Sequence, residues 1–233
     1  MTTKEKLLAL LEDSKGTFFS GEEIARTLQV SRAAVWKAVN ALREDGYTID
    51  AATNKGYRLS PDSDILSPQG IRRFLKPEYR DLDLTVLPTA PSTNALVREK
   101  ANQGCPEGCV IVACEQTAGR GRYGRQFFSP VDSGVYLSLL LRPTAYSPQQ
   151  ATCLTAAAAA AMCQAIEEVT GQQPGIKWVN DIFLHGKKVC GILTEAAVGL
   201  ETGTLNYMVL GAGVNLYPPA EGFPEEIQSI AGS

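Results

Sequence analysis

Near the middle of the 233-residue chain lies Gln116-Thr-Ala-Gly-Arg-Gly-Arg-Tyr-Gly-Arg125, a segment unsuited to the interior of a helix or a strand. Three glycines (Gly119, Gly121, Gly124) alternate with three arginines (Arg120, Arg122, Arg125), and no acidic residue falls between Gln116 and Val131. Glycine lets the backbone take positive φ and approach a ligand closely. Arginine offers a permanently charged, planar fork that matches carboxylate and phosphate oxygens. The segment reads as a loop that closes over a small polyanion. Ordering Gly119 to Arg125 costs roughly 1–2 kcal/mol per residue in backbone entropy. Each charge-assisted hydrogen bond returns about 1.5–3 kcal/mol, so the loop is expected to order on its ligand. An isolated Gly-Arg run also suits a surface loop or a nucleic-acid tether, and the flanking segments decide between them.

Those flanks read as a sheet. Leu82-Asp-Leu-Thr-Val-Leu87 alternates as a strand, and Gly108–Cys114 is apolar throughout, as in a strand buried on both faces. Gly134–Arg142 reads as another strand, and alanine-rich Pro148–Thr170, followed by Gly171, as a helix. Ser92-Thr93-Asn94, at a strand-to-helix turn, can cap the helix or point polar groups at a ligand. Phe127-Phe128 can stack on a purine or anchor the loop's return. Ile176–Leu184 and Lys188–Glu195 read as a hairpin turning at His185-Gly186. Alternation along one continuous strand would put Lys177, Val179 and Asp181 on one face. Gly211-Ala-Gly213 lacks the third glycine and the helix of a dinucleotide fingerprint, and no G-x-x-x-x-G-K-[ST] loop occurs.

Upstream the periodicity changes. Leu7, Leu8, Leu10 and Leu11 make one apolar helical face, and Ser20 precedes a short helix opened by Glu22 and Glu23. Gln29-Val-Ser-Arg32 forms a turn, with Ser31 placed to cap the next helix. On that helix Val35, Ala38, Val39 and Leu42 face inward; Arg32, Trp36, Lys37, Asn40 and Arg43 face outward, where DNA reading requires such side chains. A hairpin through Asn54-Lys-Gly56 completes a wing, and Ser60-Pro-Asp-Ser-Asp64 reads as a linker.

Composition excludes several classes. A net charge of −3 gives no global nucleic-acid signal. The N-terminus has no signal core, and no stretch is long and apolar enough to span a bilayer. The six cysteines form no C-x-x-C pair, and His185 is the single histidine, which argues against zinc and for reduced, mostly buried thiols.

Five motifs resemble, in order and spacing, those of biotin–protein ligases: Ser92-Thr-Asn94, Gln116-x-x-Gly-Arg-Gly-Arg-x-Gly-Arg125, Lys177-Trp-Val-Asn-Asp181, Gly191-Ile-Leu-Thr-Glu195 and Gly211-Ala-Gly-Val-Asn215. Ser31-Arg-Ala-Ala-Val-Trp-Lys37 and the wing resemble the winged helix-turn-helix of bacterial biotin-operon repressors. The likeness covers nearly the whole chain. It implies an α+β protein, with a winged helix-turn-helix at residues 1–63 and a mixed-sheet, class II synthetase-like biotin/lipoate ligase domain at 64–233. The family's small C-terminal β-barrel is expected to be absent, because the chain stops at Ser233. Phe127 stands where the family usually has tryptophan, and Val179 where it often has proline.

The activity implied is ATP-dependent conversion of biotin to biotinyl-5′-AMP, transfer to a lysine of a biotin carboxyl carrier protein, and biotin-responsive repression of biotin genes. By the same resemblance Ser92, Thr93, Asn94 and Gln116 bind the biotin head. Arg120, Gly121 and Arg122 close on the carboxylate and phosphate, and Lys177 sits at the reacting groups, with Lys177 and Arg122 catalytic. Magnesium accompanies ATP, with no ligands assigned. The implied partners are the carrier protein of acetyl-CoA carboxylase, operator DNA bound through Arg32, Trp36, Lys37, Asn40 and Arg43, and a second copy when adenylate is bound, all in the cytoplasm. Two alternatives remain open: a biotin-sensing repressor without ligase turnover, suggested by the short C-terminus, and a lipoate-type protein ligase.

Overall fold

The computed structural model describes residues 1–143, 147, 150–199 and 204–233. Two compact units divide the chain, Met1–Asp81 and Leu82–Ser233.

In the first unit, polar side chains open each helix. α1 (Thr3–Asp13) starts in a capping box, with Glu5 N donating to Thr2 Oγ1 and Thr2 N to Glu5 Oε2. α2 (Gly21–Leu28) and α3 (Arg32–Glu44) are capped by Ser20 and Ser31. Gln29, in the left-handed region at φ 55°, makes the turn between them. Leu7, Leu8, Leu11, Ile24, Val35, Ala38, Val39 and Leu42 form one core, as the apolar spacing requires, while Leu10 is only partly buried against it.

The wing is the antiparallel pair β1 (Ile49–Ala52) and β2 (Gly56–Leu59). Gly56 has φ +94°, and a Cβ there would lie 2.0 Å from the Phe19 carbonyl oxygen. Gly56→Ala is therefore expected to destabilise this unit by about 1–3 kcal/mol, read as a lower urea midpoint for the unfolding of the full chain. The unit runs beyond the Ser60–Asp64 linker because α4 (Pro68–Arg72) packs on α1. Arg73 lies 3.7 Å from the buried Glu12 carboxylate, whose pKa burial raises.

The second unit is a seven-stranded mixed sheet between two helices. Its elements are β3 (Asp83–Leu87), α5 (Thr93–Asn102), β4 (Cys109–Ala113), β5 (Gly134–Leu141), α6 (Ala151–Thr170), β6 (Gly175–Lys177), β7 (Asp181–Leu184), β8 (Lys187–Val198), β9 (Leu205–Asn215) and a short α7 (Glu225–Gln228). The spatial order is β3-β4-β5-β9-β8-β7-β6, parallel between β3 and β4 and antiparallel elsewhere. Alternation sends Leu140 and Val209 to the core under α5, and Leu137, Ala212 and Val214 to the core under α6. The helix start expected at Pro148 lies outside the described residues.

One sequence expectation needs correction. Ile176–Leu184 is not a single strand: it breaks after Lys177 and doubles back, so that β6 and β7 pair antiparallel with Lys177 opposite Asp181. Trp178-Val-Asn180, a segment without glycine or proline, forms the turn, and face assignments carried across it fail. The hairpin at His185-Gly186 does form, with φ of 51° and 77° at the two turn residues. The cysteines also differ in part. All six are free, but only Cys109 and Cys190 are buried, and Cys153 is exposed. Burial pushes the thiol pKa of both Cys109 and Cys190 up to about 12, which keeps them protonated and inert.

Candidate active site

The floor of the site is a patch of sheet without side chains. Gly191 of β8 and Gly213 of β9 are register partners, and Gly211 lies opposite Leu193 of β8 and Ser138 of β5. Each glycine is required by what packs above it. A Cβ on Gly213 would meet the Phe127 ring at 2.5 Å, one on Gly191 at 2.9 Å, and one on Gly211 would lie 2.0 Å from Asn94 Oδ1. Glycine inside a strand marks such close approaches, and here the glycines of Gly211-Ala-Gly213 open a cleft.

That cleft has a volume of about 460 Å³, its open mouth included. Ser92, Thr93 and Asn94 reach it from the first turn of α5, where Ser92 also caps the helix by accepting from Ala95 N. The two readings of this tripeptide coexist. All three residues are buried and hydrogen-bonded. Asn94 Nδ2 donates to Glu195 Oε2 at 2.8 Å and to the Leu193 carbonyl at 3.3 Å, while Asn94 Oδ1 lies 2.6 Å from Ser138 Oγ. Ser138 Oγ is also 2.7 Å from Thr93 Oγ1, and Arg98 Nη1 donates to Glu195 Oε1 at 3.3 Å. Gln116 Oε1 accepts from Thr93 N at 2.9 Å, and its Nε2 donates to Ser129 Oγ at 3.1 Å.

The arginine-glycine loop folds over this polar end as a small hairpin. Gly121 N donates to Arg125 O at 2.7 Å and Phe127 N to Gly119 O at 3.0 Å. Arg122 reaches across to the β6–β7 turn, where Nη1 donates to Asn180 Oδ1 at 3.0 Å. Asn180 is itself fixed, since its Nδ2 donates to Ile192 O and to Asp181 Oδ1, both at 3.1 Å. Arg120, Gly121 and Arg122 all line the cleft.

The expected lysine does not. Lys177 is exposed on edge strand β6, absent from the cleft wall, with Nζ 5.5 Å from the centroid of the Phe183 ring. Lys188 lines the cleft in its place, its Nζ 2.7 Å from Asp181 Oδ1. A bulge in β8 creates this placement: Ile182 pairs with Cys190 but Phe183 with Lys188, leaving Val189 as the extra residue. Lys188 was legible only as one of two lysines after a turn. With Arg120 and Arg122 it sets three cations against the single carboxylate of Asp181 in the cleft wall.

Beside the cationic end, a more apolar recess shares Arg122, Phe127, Asn180, Asp181 and Lys188, with Phe128, Phe223, Ile227 and Ile230 as further walls. The aromatic pair divides its work here. Phe127 anchors the loop on the glycines and edge-on against Tyr136, while Phe128 faces Phe223, their centroids 6.5 Å apart. Residues 230–232 are pinned to β8 at the wall of the recess, with Lys188 N donating to Ile230 O and Gly232 N to Lys188 O.

In the first unit, Arg32, Trp36 and Lys37 are exposed on α3, and Asn40 is half-buried. Arg43 is exposed on α3 as expected, and it also has a structural contact. Its Nε and Nη2 both donate to the Ile49 carbonyl, at 3.1 and 2.7 Å, so it braces β1.

Comparison with known proteins places both units. Residues 86–215 match the Biotin/lipoate A/B protein ligase family, and residues 3–58 match an HTH domain. The chain is 41% identical over 232 residues to the bifunctional ligase/repressor BirA of Bacillus subtilis, covering 100% of this chain and 70% of that protein. It is 34% identical to the Escherichia coli protein of the same name, covering 92% of this chain and 64% of the other. Among solved structures, the biotin protein ligase of Aquifex aeolicus in complex with biotin and ATP aligns with a TM-score of 0.52 at 30% identity, covering 64% of this chain and 58% of that one. The matched motifs, the glycine-floored cleft and the N-terminal HTH unit agree: the chain belongs to the biotin/lipoate A/B protein ligase family, in the arrangement with an HTH domain ahead of the ligase domain.

Proposed function

We propose that the protein activates biotin with ATP, transfers it to a lysine of a biotin carboxyl carrier protein, and represses biotin genes through its N-terminal unit. The observation that carries this reading is the polarity of one cleft. A neutral hydrogen-bonding end (Ser92, Thr93, Asn94, Gln116) and a cationic end (Arg120, Arg122, Lys188) share a glycine floor, beside an apolar recess faced by Phe128 and Phe223. Such a cleft fits a ligand with a compact polar head and a carboxylate, joined to a nucleotide.

In the first step the biotin carboxylate attacks the α-phosphate of ATP, forming biotinyl-5′-AMP and releasing pyrophosphate. In the second, the acceptor lysine attacks the mixed anhydride and AMP leaves. No enzyme nucleophile is needed, so rate comes from alignment and from cations placed where negative charge gathers. Lys188 takes the role that resemblance gave to Lys177, holding the carboxylate and α-phosphate together, while Arg120 and Arg122 cover them from the loop. The recess takes the adenine, with Phe128 as its stacking face. Asp181, a carboxylate of the cleft wall, would be the residue placed to help hold a magnesium ion, which would supply charge neutralisation for the ATP phosphates. The six free thiols suit a reducing cytoplasm. A homodimer on operator DNA completes the repressor reading.

The test is biotin-dependent exchange of labelled pyrophosphate into ATP, followed by labelling of a carrier protein. Exchange is expected with biotin; exchange with lipoate alone, or none, would overturn the assignment. For the repressor function, Arg32→Ala and Lys37→Ala are each expected to weaken binding to operator and non-operator DNA alike. Each should lower the slope of log affinity against log salt by about 1, as loss of a phosphate contact does. Filter binding across a salt series reads this, and unchanged slopes would move the DNA contact elsewhere.

A further inference from the structure

The hydrogen bonds behind Thr93 can be oriented by counting protons. Asn94 faces two groups that only accept, the Glu195 carboxylate and the Leu193 carbonyl, so its Nδ2 points to them and its Oδ1 faces Ser138. The 2.6 Å separation of Ser138 Oγ and Asn94 Oδ1 then needs the serine proton between them. A serine has one proton, so at 2.7 Å Ser138 Oγ accepts from Thr93 Oγ1. Thr93 has thereby committed its own proton inward. Its oxygen and Gln116 Oε1, 3.2 Å apart and both in the cleft wall, then face each other as acceptors with no hydrogen between them. Gln116 Oε1 already accepts from Thr93 N, so the lone pair left to fill from the cleft is that of the Thr93 hydroxyl, and a ligand donor fits it.

We infer that Ser138 and Glu195 are positioning residues that fix the Thr93 hydroxyl as a hydrogen-bond acceptor toward the cleft, so that the site selects a ligand N–H at this point. The inference rests on the biotin reading above, in which the ureido ring supplies the N–H. Removing the Glu195 carboxylate takes away the shorter of the two bonds that hold the Asn94 amide, leaving only the 3.3 Å bond to the Leu193 carbonyl against its turning over. Ser138 then accepts from Asn94 and donates to Thr93, and the Thr93 proton swings into the cleft. Arg98, which pairs with Glu195 from one turn along α5, holds the far end of the chain.

The test measures binding to the full chain by calorimetry. The two probes are biotin and the cyclic carbamate analogues in which one or other ureido N–H is replaced by oxygen. The wild-type chain is expected to bind biotin and to disfavour at least one carbamate by tenfold or more. Glu195→Ala and Ser138→Ala should each weaken biotin at least tenfold while reducing that preference to threefold or less. Glu195→Gln, which keeps an acceptor for Asn94, should restore both to within about threefold of wild type. Weaker binding with the preference intact would show a merely structural role and overturn the inference, as would unchanged binding. Should Ser138→Ala fail to fold, the Glu195 pair decides alone, because Glu195 is partly exposed. Absence of any biotin binding by the wild-type chain would instead refute the biotin reading itself.

Discussion

Replacing Lys188 by alanine is expected to slow biotin-dependent pyrophosphate exchange by about 100- to 1000-fold, the usual cost of deleting one preorganised charge partner from a reaction that relies on electrostatic stabilisation. The same change at Lys177 should leave exchange within about threefold of wild type. Lys188 stands in the cleft wall, 28% exposed and 2.7 Å from Asp181, whereas Lys177 is on the outer edge of the sheet against Phe183. Two unit charges 4 Å apart interact by about 4 kcal/mol at the effective dielectric of such a site, enough to account for a loss of this size. Steady-state exchange assays on the two variants side by side give the measurement. Comparable losses in both, or a loss in Lys177→Ala alone, would return the role to Lys177.

Gly211→Ala is expected to weaken biotin binding by at least about 100-fold and to lower stability by about 1–3 kcal/mol. The added methyl would sit 2.0 Å from Asn94 Oδ1, far inside contact distance. Asn94 cannot step aside cheaply, because its amide is held by Glu195 and Leu193 and its oxygen by Ser138. Either the side chain abandons that buried network or α5 lifts from β9, and both displace Thr93. Calorimetry with biotin and urea unfolding separate the two effects. A variant that binds biotin normally would show that Asn94 is free to move and that the glycine floor does not shape the site.

Much of this protein is written in local patterns. Serines at 20, 31 and 92 ahead of helical periodicity located three helix starts, because an N-cap acts over only three residues. The apolar run of β4 and the Gly-Arg loop after it were likewise read from short stretches of backbone, and Gln116, Arg120, Gly121 and Arg122, assigned to the ligand by family resemblance, line one cleft. Lys177 shows where that legibility ends. The β6–β7 turn at Trp178-Val-Asn180 has no glycine or proline to announce it, and the bulge at Val189 that turns Lys188 inward leaves no mark in hydrophobic alternation. Arg43 is a milder case: periodicity put it on the outside of α3, where it is, but could not show that its guanidinium donates to the Ile49 carbonyl, a partner supplied by the packing of β1. What the sequence alone determined was most of the helices and strands, the loop and the family, all properties of neighbouring residues. What only the tertiary structure decided was which lysine faces the cleft and which way the protons run from Thr93 to Glu195. The first depends on cross-strand register at a turn and a bulge, and the second on contacts between residues about forty to one hundred positions apart in the chain.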